Sequence, residues 1–158
     1  MLGFGKADPY ADPELGVLTR KSGKWEGVIA LGGHPEVPLF VEGGREAPDA
    51  GGLALARDLT RRFDELRPAI AVALFEHYEP YRDPVVAGEE TDPDLVMMSS
   101  VNDVWPHAEP VAVLIQPLRG SPEPGPIIEI QYRVVWDEEH TLGARIQGWR
   151  VFEMCGSV

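Results

Sequence analysis

Residues Pro126–Gly148 read PIIEIQYRVVWDEEHTLGARIQG, and the rest of the chain is interpreted outward from them. Ile128, Ile130, Tyr132, Val134 and Trp136 alternate with Glu129, Gln131, Arg133 and Val135. An apolar period of two marks a strand with one dry face and one wet face, as in an antiparallel sheet covered on one side. Leu142, Ala144 and Ile146 continue the even-numbered apolar positions beyond an acidic turn. Parity then restricts the connection. Pairing Trp136 with Thr141 would set Tyr132 against Arg145, a dry face against a wet one. An odd loop keeps like faces together. Either Asp137–Thr141 is the loop and Trp136 faces Leu142, or Asp137–Glu139 is the loop and Trp136 faces His140. The longer loop is preferred, because no Gly stands where the shorter one needs a left-handed residue. The clean phase stops at Gly148, which predicts a bulge or turn there and a last strand through Arg150–Met154.

Upstream, Leu15–Thr19, Lys24–Leu31 and Val37–Glu42 read as three short strands. They are joined by Arg20-Lys21-Ser22-Gly23 and Gly32-Gly33-His34-Pro35, both rich in turn-forming residues. Residues 1–13 are expected to be irregular or a short edge strand, with Phe4 and Tyr10 as anchors. Asp49 is placed as a helix N-cap. Leu55, Leu59, Phe63, Leu66, Ile70, Leu74, His77 and Tyr81 then recur at spacings of three and four, a long amphipathic stripe. Arg57, Asp58, Arg61, Arg62, Asp64 and Glu65 fall on its wet side. Pro68 cannot donate to the carbonyl of Asp64, so the stripe is expected to be a kinked helix or two helices end to end. Tyr81–Pro93 reads as an acidic loop. Ser99 or Ser100 with Asp103 resembles the start of a short helix ending near Trp105-Pro106. Val111–Leu118 is nearly all apolar and reads as a central strand ended by Pro117.

The expected fold is therefore α+β, an antiparallel sheet with a long kinked helix, or two consecutive helices, packed on one face. The 158 residues suit a single domain with residues 1–13 as its irregular N-terminal segment. The single Cys155 rules out an internal disulfide framework and favours a reducing compartment. MLGFGKADPY lacks the basic start and apolar core of a signal peptide. The longest apolar run, Ala69–Phe75, is too short to span a bilayer. The expected location is the cytoplasm, with no membrane involvement.

Net charge is −12, and it is unevenly spread. Residues 1–82 hold 10 basic and 13 acidic side chains, whereas residues 83–158 hold 4 and 13. A surface this acidic argues against direct nucleic-acid binding, which needs cations for phosphate. It favours encounter with a basic protein or a cation.

No complete catalytic signature is present. H-E-x-x-H, G-x-S-x-G and the P-loop are all missing, and Gly3-x-Gly5 lacks the third glycine of a dinucleotide fingerprint. His34-Pro35-Glu36 has the H-x-E form of a zinc deaminase, but that chemistry needs a further pair of thiolates and Cys155 stands alone. The candidate cluster is Asp137, Glu138, Glu139 and His140, since carboxylates beside an imidazole bind divalent metal or move protons. The simpler account has Asp137 capping its own turn, both Glu solvated and His140 packed beside Trp136. His107, after Trp105-Pro106, is a candidate to join His140. His77 lies on the apolar side of the helix and reads as a core residue. Trp25 joins the candidate set with Gly27, which permits close approach of a ring.

Trp25-x-Gly27 on an early strand and Trp136-Asp137-x-Glu139-His140 between two late strands together carry a resemblance. They are similar to bacterial domain families of unknown function in which a W-D-x-E-H turn closes a C-terminal hairpin, some of them proposed as toxin-immunity proteins. The resemblance spans about residues 14–150 and implies an α+β domain that binds a protein partner. The leading expectation is a non-enzymatic protein-binding module with no cofactor and no resident metal. The alternative is a metal-dependent hydrolase or small-ligand binder using Asp137, Glu139 and His140 with His107 or His34.

Overall fold

The structure, a computed structural model, describes residues 5–158. Eight strands form one sheet in simple chain order: β1 (Tyr10–Asp12), β2 (Gly16–Lys21), β3 (Lys24–Leu31), β4 (His34–Glu42), β5 (Ala108–Pro117), β6 (Pro126–Val134), β7 (Asp137–Gln147) and β8 (Arg150–Cys155). The fold is α+β, as expected, but the sheet is larger than expected and not wholly antiparallel. Leu39, Phe40 and Val41 of β4 run parallel to Val113, Leu114 and Ile115 of β5. A parallel pair needs a long crossover. Helix α1 (Ala50–Val86) and the 3-10 helix η1 (Val101–His107) provide it. The short helix ends at His107, directly after Trp105-Pro106, as expected. Tyr10 falls in a three-residue edge strand, whereas Phe4 lies outside the described residues.

One helix, not two, spans 37 residues, about 55 Å at 1.5 Å per residue. It absorbs what was expected to be loop up to Val86 and contains Pro68, Pro80 and Pro84. Each proline frees the carbonyl four residues earlier, those of Asp64, Glu76 and Pro80. All three of these residues are exposed, where an unpaired carbonyl costs less than it would in the core. At the start, Asp49 caps as expected, its carboxylate accepting from the Gly52 N–H at 2.8 Å. A Cβ on Gly52 would stand 2.9 Å from Val41 Cγ1, so glycine lets the helix begin close against β4. Leu59, Phe63, Leu66, Ile70 and Leu74 are buried in one core with the even-numbered positions of β6 and β7.

Every even-numbered apolar residue of the hairpin is inside, from Ile128 through Trp136 and from Leu142 through Ile146. The loop, however, differs from both expectations. Tyr132 faces Leu142, Arg133 faces Thr141, and Val134 pairs with Asp137 across the two-residue turn Val135-Trp136. Glu138, Glu139 and His140 are the extra residues of a bulge in β7. The odd-numbered face is not uniformly wet either. Glu129 is buried, accepting from Arg145 Nε at 2.7 Å and from Gln131 Nε2 at 2.9 Å. At Gly148 the predicted turn is present, with Gly148 and Trp149 both left-handed at φ 59°. Trp149 accepts that conformation while its ring lies under the Arg62 guanidinium, 4.3 Å from the centroid.

Asp12 anchors the first hairpin. Its buried carboxylate accepts from the Glu14 and Leu15 N–H groups, each at 2.9 Å, and pairs with Arg57 of α1. Arg57 therefore leaves the wet face assigned to it. The hydrogen bond from Arg57 outweighs burial and holds the Asp12 carboxyl down at about 2. A carboxyl depressed in the fold stabilises it above the unfolded value and loses that contribution as pH falls through the folded one. We expect stability to decline between pH 4 and 2 and Asp12→Ala to flatten that decline. The variant should lose about 1–3 kcal/mol at neutral pH, read from urea unfolding at stepped pH.

Candidate functional site

Because Val134 pairs with Asp137, the turn residue Trp136 folds back into the core instead of continuing the strand. Its ring meets Tyr78 of α1 edge-on at 5.5 Å, and its Nε1–H donates to His77 Nδ1 at 3.0 Å. Tyr78 in turn donates to the Val96 carbonyl at 2.6 Å and accepts from the Met98 N–H at 2.9 Å. The C-terminal half of α1, the segment at 96–98 and the hairpin tip are thereby fastened together.

Asp137 continues the same junction. Its nearly buried carboxylate accepts from the Tyr81 hydroxyl at 2.9 Å and from His140 Nδ1 at 2.9 Å, and also receives the His140 backbone N–H. Burial pushes this carboxyl up, but the bonds from Tyr81 and His140 prevail and leave it below its usual value. Burial, then the bond to the Asp137 anion, raises the Tyr81 phenol. His77, half-buried, sits below the ordinary imidazole range because burial disfavours its cation, with the nearby Asp137 opposing. A neutral His77 is what the Trp136 bond requires, since Nδ1 must hold a lone pair.

The structure thus joins Trp136, Asp137 and His140 but separates the other candidates from them. Trp25 is fully buried, donating its indole N–H to the Gly44 carbonyl at 2.9 Å. Glu139 is exposed and bonds to neither His140 nor Asp137. His107 and His34 instead line a groove of about 710 Å³ together with Trp105, Arg133, Val135 and Glu138. His140 bonds Asp137 rather than packing on Trp136. With Nδ1–H donated to Asp137, its Nε2 would stay free as a proton acceptor, which is half of a relay. No Ser, Thr or Cys side chain bonds to it among the described residues. Nor do three His, Cys, Asp or Glu side chains gather as a metal set among those residues.

The members missed from sequence are His77 and Tyr81. The helical stripe placed both on the apolar side, four residues apart. Their pairing with a turn nearly 60 residues away carries no mark in a single chain.

Asp137→Ala should cost about 1–3 kcal/mol, because it orphans the Tyr81 hydroxyl and the turn N–H. His140→Ala should cost under about 1 kcal/mol, since that ring is half exposed. Stability should also fall as pH drops below 6.5, where the unfolded His77 takes up a proton that the folded one resists. The fall should shrink in His77→Gln. Thermal melts from pH 7 to 5 measure both effects.

No curated protein and no solved structure matches the chain. Residues 14–157 match the family described as Domain of unknown function (DUF6985). That match covers most of the chain and spans both the helix and the hairpin, so the protein belongs to the DUF6985 family.

Proposed function

We propose that this chain is a single non-enzymatic protein-binding domain, of the bacterial toxin-immunity type, that recognises a basic partner in a reducing cytoplasm. The observation behind it is the surface at the hairpin tip. Tyr81, Val86, Met97 and Val135 are among the large apolar side chains left exposed, and all belong to the elements fastened together by Trp136 and Tyr78. Close to them in sequence are Glu89, Glu90, Asp92, Asp94, Glu138 and Glu139, all exposed and none in an ion pair among the described residues. An apolar centre with a charged surround is the usual composition of a docking surface, and uncompensated carboxylates steer a cationic partner to it. We further infer that α1 covers the even-numbered face of the sheet, so that binding falls to the tip and to the remaining sheet surface. No described helix is long and apolar enough to cross a membrane.

The immunity-type assignment draws on the resemblance of the W-D-x-E-H turn. The hydrolase alternative has no comparable support, since Glu139 stands apart from Asp137 and His140.

Pull-down from the native cell should recover a basic protein. The double reversal Glu138→Lys/Glu139→Lys should weaken its capture about tenfold at low salt, with less effect at high salt and an unchanged melting temperature. Recovery of no basic protein would remove this reading. A melting temperature raised by zinc or manganese would favour the hydrolase.

A further inference from the structure

The two ends of the sheet differ in kind. At one end β1 is three residues long, and short edge strands resist pairing with other chains. At the other, β8 runs for six residues and pairs with β7 alone, so among the described residues its outer row of N–H and C=O groups has no strand beside it. After Arg150 the one charged side chain on β8 is the carboxylate of Glu153.

Helix α1 lies near β8, and between them runs a groove of about 380 Å³. The helix side provides Ala73, Glu76 and His77, and the strand side Val151, Phe152 and Met154 with Glu153. Arg145 faces Glu153 and Ile146 faces Val151, so Phe152 is the unmatched residue of a bulge. Bulges re-aim side chains, and this one adds a half-buried ring to the groove wall. Ala73 keeps the helix wall low. Glu76 is exposed and unpaired among the described residues, and Glu153, which accepts from Arg145 Nη1 at 2.9 Å, keeps about half its surface open. No Lys or Arg lines the groove.

We propose that β8 and this groove bind an extended segment of a partner protein, one that alternates cationic and small apolar residues and adds as a ninth strand. The segment's backbone would fill the open hydrogen-bonding row, its apolar residues would enter between Ala73 and Phe152, and its cations, on the opposite face, would meet Glu153, with the Glu76 charge attracting the segment as a whole. A second copy of this chain fits the same edge poorly. It would bring another net charge of −12 and would set one Glu153-bearing strand against another. The inference rests on the protein-binding reading above and narrows it to a place and a partner chemistry. The two surfaces adjoin at His77, which lines the groove and also bonds Trp136.

The test uses the intact chain with a labelled alternating Lys-Val peptide, followed by fluorescence anisotropy and by amide NMR shifts. We expect saturable binding that weakens with salt, with the largest shifts at Arg150–Cys155 and around Ala73. The same peptide N-methylated on alternate residues keeps its charge but cannot donate to a strand, and should bind about tenfold more weakly. A Glu-Val peptide should not bind, and Glu76→Lys should weaken the Lys-Val peptide without altering the melting temperature. Equal binding of the N-methylated peptide would overturn the proposal. So would a free protein that is dimeric with Arg150–Cys155 protected from exchange. Shifts confined to Val135 and Glu138 would refute the β8 site while leaving the protein-binding reading standing. No binding of the cationic peptide at either place would take down both.

Discussion

The contact between Trp136 and α1 is the constraint on which the rest of the structure depends. A strand carrying Ile128, Ile130, Tyr132 and Val134 inward must turn somewhere, and a large indole at the turn has to be buried or exposed. Burial requires a partner for the indole N–H, because an orphaned donor in the core costs about 1–3 kcal/mol. His77 provides that partner at 3.0 Å and the Tyr78 ring supplies the packing. The register of the hairpin, the reach of the helix and the course of residues 96–98 then follow from one residue's burial. It also bears on the unbroken helix: α1 has to run at least to Tyr81 before it can bond Asp137, so Pro68 and Pro80, both exposed, are tolerated on the way.

The same constraint orders the acidic turn. Asp137 is drawn inward with Trp136, and an inward carboxylate needs donors. Tyr81 comes from the helix and His140 from the bulge. Glu138 and Glu139 have no such demand and stay in water. Four neighbouring polar residues thus divide into a structural pair and a solvated pair. The division matters for function, because the groups best suited to acid–base work are already bonded to each other. The groups free to meet a partner are the plain carboxylates.

Much of this architecture was legible in the residues, and the parts that were not share a cause. Period two put the even-numbered apolar residues Ile128–Val134 and Leu142–Ile146 inside, and period 3.6 put Leu59, Phe63, Leu66, Ile70 and Leu74 in the same core, because both patterns record burial directly. Asp49 was readable as a cap because its bond is local. Parity also held: the residues looped out between the Arg133–Thr141 pair are odd in number. What parity could not show was their division into a two-residue turn and a three-residue bulge, which depends on where Trp136 goes. Glu129 and Arg57 were misplaced, and Asp12 passed over, for a related reason. Each looks like a surface charge until its partner, distant in sequence, is known. The parallel pairing of β4 with β5 is also non-local, a consequence of a crossover that strand patterns do not encode. The candidate site fared the same way, with Trp136, Asp137 and His140 visible as a cluster and His77 and Tyr81 visible only as helix.

An acidic chain that spends its one histidine–carboxylate pair on holding a turn still has to place its excess charge. Self-repulsion among unpaired carboxylates disfavours the compact state, and the cost grows where they crowd. Here Glu138 and Glu139 directly follow Asp137 in the chain, next to the junction where Tyr78, His77, Tyr81 and Asp137 interlock. Neutralising a few of those carboxylates by a cationic surface relieves repulsion without asking the fold to move. A rigid, prepaid arrangement of this kind gains more from a partner than a loose one, since little ordering remains to be done on contact. The junction that buries one indole is therefore also what makes the acidic end a defined surface rather than a mobile tail.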